Sequence, residues 1–389
     1  MRSCRKLASC LVAALCTGTA SAQIAYVYIP NGTSTYAYDV SSTGKLKNIQ
    51  GSPFPTTGNL VGSNGSYFIT VDGENLYSYA VASNGAIAGQ VSEIDTQNYT
   101  GAACGTPSAG GRANPTAGLD QTGRNVYVPL YEANGSMCNA IQTFNIAKTG
   151  TLTFNGATIY GQGAHMAGFE SLPALTGNNN FAFNYLSVPG NCDNNGLKAF
   201  SRDNSGTLNN ISFTETDPTP DPAKYTGYLA TEFLAADNTH HLAIVVEPTT
   251  GCNNGTGPEQ LASYTVDQGN INSTNTYANM PAYINPPGTG GSGDMKIDPT
   301  GNFLAIAVGT GVQLFYFNGA KPITPFTGVI GTSGYVSQVA WDNDGHLYAL
   351  NAGEGDMHVY KVTATKVKEM AGSPTPVSVG FGLFTVRSN

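Results

Sequence analysis

The chain has 389 residues, of which only 11% are charged, while 48 are Gly and 21 are Tyr. This composition suits short strands joined by tight turns and disfavours helices, which require Ala, Leu, Glu and Lys. The formal net charge is -8, and the sequence contains no basic stripe. These features argue against nucleic acid and anionic lipid surfaces as partners.

The N-terminus has the pattern of an export signal. A basic start is followed by a short apolar run, Leu7 to Cys16, and by a small-residue cleavage site, Ala20 to Ala22. We predict a signal peptide at 1–22, a single domain at 23–389, and a secreted or periplasmic location. A lipid anchor at Cys10 is the alternative, but that Cys precedes most of the apolar run. No later segment is long enough to predict a membrane span.

One short unit recurs along the chain, and it is a tight turn between two apolar runs. Its copies begin with Asp and place Gly near the end, because the carboxylate caps backbone N–H groups and Gly accepts positive φ. The clearest copies are Leu119 to Val128, Ile297 to Ile306 and Trp341 to Leu350. A strand with Tyr or Phe, a Gly-containing turn and another strand follow each copy. Each repeat therefore predicts four short antiparallel strands.

A repeat of roughly 40 to 65 residues with four strands has the size of a propeller blade. We predict an all-β, seven-bladed β-propeller of four-stranded antiparallel blades. The N-terminal run Ala25 to Ile29 matches a second strand whose inner neighbour is missing. The C-terminal run Phe381 to Val386 matches an inner strand with no blade after it. The C-terminal strand is therefore expected to close the first blade.

The run Tyr26-Val27-Tyr28-Ile29-Pro30-Asn31, together with Gly51-Ser52-Pro53-Phe54, resembles the bacterial YVTN-repeat and lactonase-like seven-bladed propellers. Gly372-Ser373-Pro374 repeats the last element near the C-terminus. Enzymes of the 6-phosphogluconolactonase kind have a His-Pro segment leading into an inner strand. The comparable segment here, Gly111 to Pro115, keeps the Pro and lacks the His. No catalytic residue is therefore carried over from that family.

In a four-stranded blade, the loops between second and third strands share a face with the loops between blades. The long, variable loops of this chain fall on that face, where binding or catalysis is expected. The candidates for a catalytic role there are His165, Glu247 and Arg112. Imidazole and carboxylate can activate water, and guanidinium can hold a carboxylate or phosphate. The other four His residues lie at turns or in strands and are expected to be structural.

Four cysteines remain after the signal peptide, and all of them belong to the long loops: Cys104, Cys138, Cys192 and Cys252. An even number in an exported chain predicts disulfides. We expect Cys104 to pair with Cys138, and Cys192 with Cys252, because each pair occupies loops of the same or neighbouring blades. The main rival joins Cys138 to Cys192, which leaves the other two cysteines about two blades apart, beyond disulfide reach.

Two functions from different classes fit this sequence. The first is a monomeric binding or scaffold module that holds a protein, peptide or glycan through its long-loop face, where Tyr and Asn provide contact area and hydrogen bonds. The alternative is a hydrolase of a lactone or related sugar derivative, which the resemblance implies. The low charge and the missing His favour the first. No cofactor or metal site is expected, since no CxxC, HExxH, P-loop or EF-hand pattern occurs.

Overall fold

The computed structural model describes residues 23–96, 112–113, 117–131, 138–162, 174–176, 180–185, 197–251, 257–282, 294–331, 334–379 and 384–388. All regular secondary structure in these ranges is β-strand. Across the same ranges, no helix has the length and apolar character needed to cross a membrane.

The strands pair into consecutive four-stranded antiparallel sheets, numbered here in chain order, and each strand pairs mainly with its neighbour in sequence. In sheet 1 the strands from the inside outwards are Thr385–Ser388, Gln23–Pro30, Gly32–Ser41 and Leu46–Asn48, and in sheet 2 they are Phe54–Ser63, Tyr67–Val71, Asn75–Val81 and Ile87–Asp95. Sheet 3 has Arg112–Ala113 and Gly118–Leu119 as its inner strand, then Asn125–Tyr131, Cys138–Ile146 and Leu152–Gln162, and sheet 4 has Ala174–Leu175, Phe181–Tyr185, Leu197–Arg202 and Leu208–Ile211.

The second half of the chain repeats this pattern. Sheet 5 contains Gly227–Ala236, His241–Thr249, Gln260–Asp267 and Asn270–Asn272; sheet 6 contains Met295–Ile297, Phe303–Ala307, Gly311–Tyr316 and Thr324–Gly331; sheet 7 contains Val336–Trp341, His346–Asn351, Asp356–Thr363 and Lys366–Glu369. Two short strands lie outside the pattern. Glu215–Thr216 runs parallel to the outer strand of sheet 5, and Thr375–Pro376 pairs with the third strand of sheet 7.

The sheets pack face to face in chain order, and apolar clusters fill the spaces between neighbours. One cluster joins sheets 4 and 5, another joins sheets 5 and 6, and a third joins sheets 6 and 7. The last cluster joins sheet 7 back to sheet 1 through Tyr348, Val27 and Phe384. The architecture is therefore an all-β propeller, as the repeats predict. Sheets 1 and 2 are also joined to each other, because Gly32–Ser41 pairs with the beginning of Phe54–Ser63. The seven units are therefore a division of the described residues, and the blade count of the whole chain stays a prediction.

The C-terminal strand closes the first sheet, but its bounds differ from those that the sequence suggests. Thr385–Ser388 pairs antiparallel with Gln23–Pro30, with Tyr28 opposite Thr385 and Ala25 opposite Ser388. The expected bounds, Phe381 to Val386, are therefore wrong at the C-terminal end, and 381–383 lie outside the described residues. Phe384 is buried, and its N–H donates to Gln338 Oε1 of sheet 7. Pairing with sheet 1 begins after this anchor.

The recurring turn forms for the expected reason. Asp298 Oδ1 accepts hydrogen bonds from the N–H groups of Asn302 and Phe303, both at 2.7 Å. Gly301 in this turn has a φ of 72°, where a side chain would be strained. A carboxylate that accepts several backbone N–H groups fixes the turn between the inner and second strands.

Candidate functional site

The two ends of the propeller differ in what they carry. We call turn face the end at which each inner strand connects to its second strand, and loop face the opposite end, where the second and third strands connect. The Asp turns lie on the turn face, as the sequence predicts. Asp237 contacts His241 Nδ1 at 2.8 Å, and Asp342 contacts His346 Nδ1 at 2.7 Å. These two histidines therefore hold turns and do not face the loop end.

Glu247 lies near the loop-face end of the second strand of sheet 5, opposite Leu229 of the inner strand. The last pair of its ladder with the third strand is Val246 with Gln260. Glu259 lies just before the strand that begins at Gln260, and it is near enough for its charge to act on Glu247. Two carboxyl groups therefore share the loop-face end of this hairpin.

The surroundings of Glu247 change its acidity. The side chain is half-buried. Loss of hydration on burial raises the pKa of Glu247 above its ordinary value of 4.5, and the charge of Glu259 raises it further. A carboxyl group with a raised pKa takes up a proton more readily than an ordinary one. This is the property required of a general base that works near neutral pH.

Glu259 was missed by the sequence analysis, although a signal for it exists. The chain reads Glu247-Pro248 on one side of the loop and Pro258-Glu259 on the other. This mirror symmetry indicates that the two Glu residues stand at equal distances from the tip of one hairpin. Of the other predicted candidates, His165 lies outside the described residues. Arg112 forms a short inner strand opposite Tyr131, but its side chain lies outside the description.

The predicted disulfides also lie outside the part of the chain that the structure describes. Only the backbone of Cys138 is included, where it begins the third strand of sheet 3 opposite Gln162. The strand therefore starts at the loop face, as the pairing hypothesis requires. Both pairings, Cys104 with Cys138 and Cys192 with Cys252, stay predictions.

An aromatic pair stands at the loop-face end of sheet 5. The rings of Tyr225 and Tyr277 are 5.4 Å apart between centroids and tilted by 38°. Lys224 Nζ lies 5.8 Å from the Tyr277 ring and 3.3 Å from Asp221. A Cβ added to Gly257 would lie 2.9 Å from the Tyr225 hydroxyl. Because Gly257 is two residues before Glu259, the aromatic pair and the carboxyl pair share one end of the blade.

His358 in sheet 7 is one of the four histidines for which the sequence analysis predicts a structural role. Its Nδ1 lies 2.8 Å from Glu369 Oε1, and its Nε2 lies 3.3 Å from Asp356 Oδ1. Within the described ranges, no group of three His, Cys, Asp or Glu residues is arranged to hold a metal ion.

A cavity of about 270 Å³ opens in the central channel, among the inner strands of sheets 1 to 4. The described residues that line it include Ser63, Leu119, Leu175 and Thr385, and none of the described lining residues is charged. Water activation needs an acid, a base or a metal, and the described lining offers no acid or base. The carboxyl pair of sheet 5 is therefore the better candidate for chemistry.

No family model and no curated protein matches this chain. Its fold is similar to that of a candidate 6-phosphogluconolactonase from Bacteroides fragilis NCTC 9343, with 12% identity, a TM-score of 0.64, and coverage of 96% of this chain and 99% of that one. A second candidate 6-phosphogluconolactonase, from Bacteroides uniformis ATCC 8492, gives 13% identity, a TM-score of 0.61, and coverage of 94% and 99%.

A protein from Lactobacillus plantarum is also similar, with 14% identity, a TM-score of 0.60, and coverage of 95% of this chain and 100% of that one. At such identities the likeness is one of fold. The chain therefore has the fold of a lactonase-like β-propeller, which agrees with the resemblance seen in its repeats.

Proposed function

We propose that the chain hydrolyses a lactone or a related sugar derivative at the loop face of sheet 5. The observation that carries this proposal is the pair of carboxyl groups Glu247 and Glu259 at one end of a hairpin, in which burial and the neighbouring charge raise the pKa of Glu247. The names of two fold neighbours, both candidate 6-phosphogluconolactonases, support the hydrolase more than the binding role favoured by the sequence.

The proposed reaction uses Glu247 as a general base. Its carboxylate takes a proton from water while the water oxygen forms a bond to the lactone carbonyl carbon. The ring C–O bond then breaks, and the protonated Glu247 returns the proton to the leaving ring oxygen. The products are a hydroxyl group and a carboxylic acid, so that one water is consumed and Glu247 is regenerated.

Glu259 acts through Glu247 in this scheme and is a positioning residue. Its negative charge disfavours the ionised form of Glu247 and favours the protonated form that follows water activation. Glu247 lies in the strand His241–Thr249, and Glu259 directly precedes the strand Gln260–Asp267, so both carboxyl groups stand at the end of the ladder that closes with Val246 opposite Gln260. Such a scaffold fixes side chains more closely than a free loop.

The test is turnover of a panel of δ- and γ-lactones, with and without sugar rings, at mildly acidic pH where spontaneous hydrolysis is slow. Glu247→Gln should lower kcat by about 10²–10⁴-fold, the typical contribution of a general base. Glu259→Gln should lower it less. Glu74→Gln is the matched control, because Glu74 is also on the loop face, between the second and third strands of sheet 2. Wild-type inactivity on the whole panel, or full activity of Glu247→Gln, would refute the proposal.

A binding role remains a second candidate, and one observation favours it. Tyr225 and Tyr277 present a tilted pair of rings beside Lys224 and Asp221. Aromatic faces flanked by charged and polar groups suit a sugar ring, whose C–H face stacks and whose hydroxyls form hydrogen bonds. Glycan-array binding that Tyr277→Ala removes, while Glu247→Gln leaves it intact, would support this role. The control is Tyr316→Ala, whose ring packs on Phe326 in sheet 6.

A further inference from the structure

The backbone around the aromatic pair of sheet 5 holds both rings in place. Tyr277 N–H donates to Thr219 O at 2.9 Å, and the Tyr277 carbonyl accepts from Gln260 Nε2 at 3.0 Å. Tyr225 N–H donates to Asp221 O at 2.9 Å in a tight turn. The two residues are half-buried. Each ring therefore keeps a fixed position and part of its surface remains open to a ligand.

A cation of the chain itself contacts this pair. Lys224 Nζ lies 5.8 Å from the centroid of the Tyr277 ring, within the distance of a cation–π contact. The same nitrogen lies 3.3 Å from Asp221 Oδ2. An aromatic face and a carboxylate are two groups that recognise an ammonium ion. Because 59% of the Lys224 side chain is exposed, its contacts are weak, and the ammonium group of a ligand can replace it.

A buried hydroxyl group near the pair has no hydrogen-bond partner. Tyr228 belongs to the inner strand of sheet 5 and is 2% exposed, and its hydroxyl makes no hydrogen bond in the described structure. The phenols of Tyr225 and Tyr277 are close enough to act on that of Tyr228. The buried hydroxyl of Tyr264, a neighbour of Tyr228, is also without a partner among the described groups. Buried polar atoms without partners require a reason, and a ligand rich in hydrogen-bond donors provides one.

The charge around the pair favours a cationic ligand. Lys224 is the only Lys or Arg in residues 213–282, the range that holds sheet 5 and the segment leading into it, and this range contains eight Asp and Glu residues. Burial raises the pKa of Tyr228 to about 12, and the charges of Asp217 and Asp221 contribute to this rise, so both carboxylates lie near the site. The carboxyl pair of the proposed reaction stands at the same end of the blade. This end therefore attracts cations and repels anions.

We propose that this site binds a sugar derivative that carries a protonated amino group, with the ammonium group between the Tyr277 ring and Asp221. The inference rests on the proposed function, because a sugar derivative is the substrate class assigned there to the same end of sheet 5. Lys224 marks the position that the ammonium group of the ligand takes, and its side chain leaves this position when the ligand binds. A phosphorylated or carboxylated sugar is disfavoured by the same carboxylates.

The alternative explanation is that Lys224, Asp221 and Tyr277 only stabilise the turn. The two explanations differ in what the loss of the lysine does. If Lys224 has a structural role alone, Lys224→Gln changes the stability of the turn and leaves ligand affinity as it was. If Lys224 occupies the ammonium position, the same substitution vacates that position and strengthens the binding of an amino sugar.

The experiment measures the binding of D-glucosamine and D-glucose to the full chain by ligand-observed NMR titration at pH 6, where the amine is protonated. The two sugars differ only in an amino group that replaces a hydroxyl. We expect D-glucosamine to bind about 4–25-fold more tightly, because an exposed cation–π contact and an exposed ion pair each contribute about 2–5-fold. Asp221→Asn and Tyr277→Ala should each reduce this preference by about 2–5-fold, and Lys224→Gln should strengthen D-glucosamine binding by a similar factor.

The matched control is Lys296→Gln, because Lys296 is also partly exposed and its Nζ lies 2.9 Å from a carboxylate, that of Asp294 in sheet 6. This variant should bind both sugars like the wild type. Glu247→Gln separates the two proposals, since it should lose lactone hydrolysis and keep the preference for D-glucosamine. A wild type that prefers D-glucosamine but hydrolyses no lactone would refute the hydrolase alone.

If Tyr277→Ala does not fold, Asp221→Asn and Lys224→Gln still decide, because both change side chains at the surface. Equal affinity of the wild type for the two sugars, or no binding of either, would overturn the proposal. So would a preference for D-glucosamine that stays the same in both Asp221→Asn and Lys224→Gln.

Discussion

The stability of the ring closure depends strongly on one buried residue, Phe384. Only 1% of its surface is exposed, and it packs with Val27 of sheet 1 and Tyr348 and Leu350 of sheet 7. Replacing a fully buried Phe by Ala removes its transfer free energy and leaves a cavity, which together cost about 3–5 kcal/mol. We expect Phe384→Ala to lower the free energy of unfolding by this amount. The cavity would lie between sheets 1 and 7, and it could be filled only if both sheets moved toward each other.

The assay is urea unfolding at equilibrium, read as a shift in midpoint at unchanged slope. Val379→Ala is the matched control in the same C-terminal segment, since Val379 is 37% exposed. It should change the free energy of unfolding by less than about 0.5 kcal/mol. Truncation after Val379 should destabilise more than Phe384→Ala, because it also removes the strand Thr385–Ser388. A Phe384→Ala protein as stable as the control would refute the closure argument.

Three further substitutions test the described side-chain networks. Burial alone would raise the pKa of Asp342, but hydrogen bonds from the side chain and backbone of His346 hold this pKa below its ordinary value of 3.8. Asp342→Asn should therefore lower the free energy of unfolding by about 1.5–3 kcal/mol at pH 7. In urea unfolding, this difference from the wild type should shrink as the pH falls below about 4. Arg202→Met should lower the free energy of unfolding by about 3–5 kcal/mol, because it leaves Asp120 buried without the cation that lies 3.1 Å away. The control is Arg124→Met at an exposed position, which should leave the free energy of unfolding unchanged. Glu247→Gln should have the opposite effect on stability. Folding raises the pKa of this carboxyl, so ionisation of Glu247 destabilises the folded protein as the pH rises through that pKa. The variant should therefore have a higher melting temperature than the wild type at pH 7 and the same melting temperature at pH 3.

The repeated turn made most of the fold predictable from the sequence. An Asp, a Gly and two flanking apolar runs act locally, and the same hydrogen bonds form wherever these residues occur, as at Asp298 and Asp342. Ring closure was also predictable, because a first sheet without an inner strand needs one from elsewhere. The bounds of that strand were not, since they depend on the contact between Phe384 and Gln338, which are 46 residues apart.

The candidate site was less predictable, because it depends on register. Glu247 was recognised as a loop-face acid, but its partner follows from the strand pairing that places Val246 opposite Gln260. A shift of one residue would turn Glu259 away. His358 was assigned a structural role because a single His in a strand carries no motif. Its partners Asp356 and Glu369 become visible only when the hairpin is paired.

The central claim is that Glu247 is a general base whose basicity depends on Glu259. The most direct measurement is the pH dependence of kcat/KM for the best lactone substrate, since this profile reports the ionisation of the free enzyme. We predict that the wild-type rate rises through a pKa above 4.5, the ordinary value for Glu, and that Glu259→Gln moves this rise to lower pH because the repelling charge is gone. A profile that does not move in Glu259→Gln, or that persists in Glu247→Gln, would contradict the account.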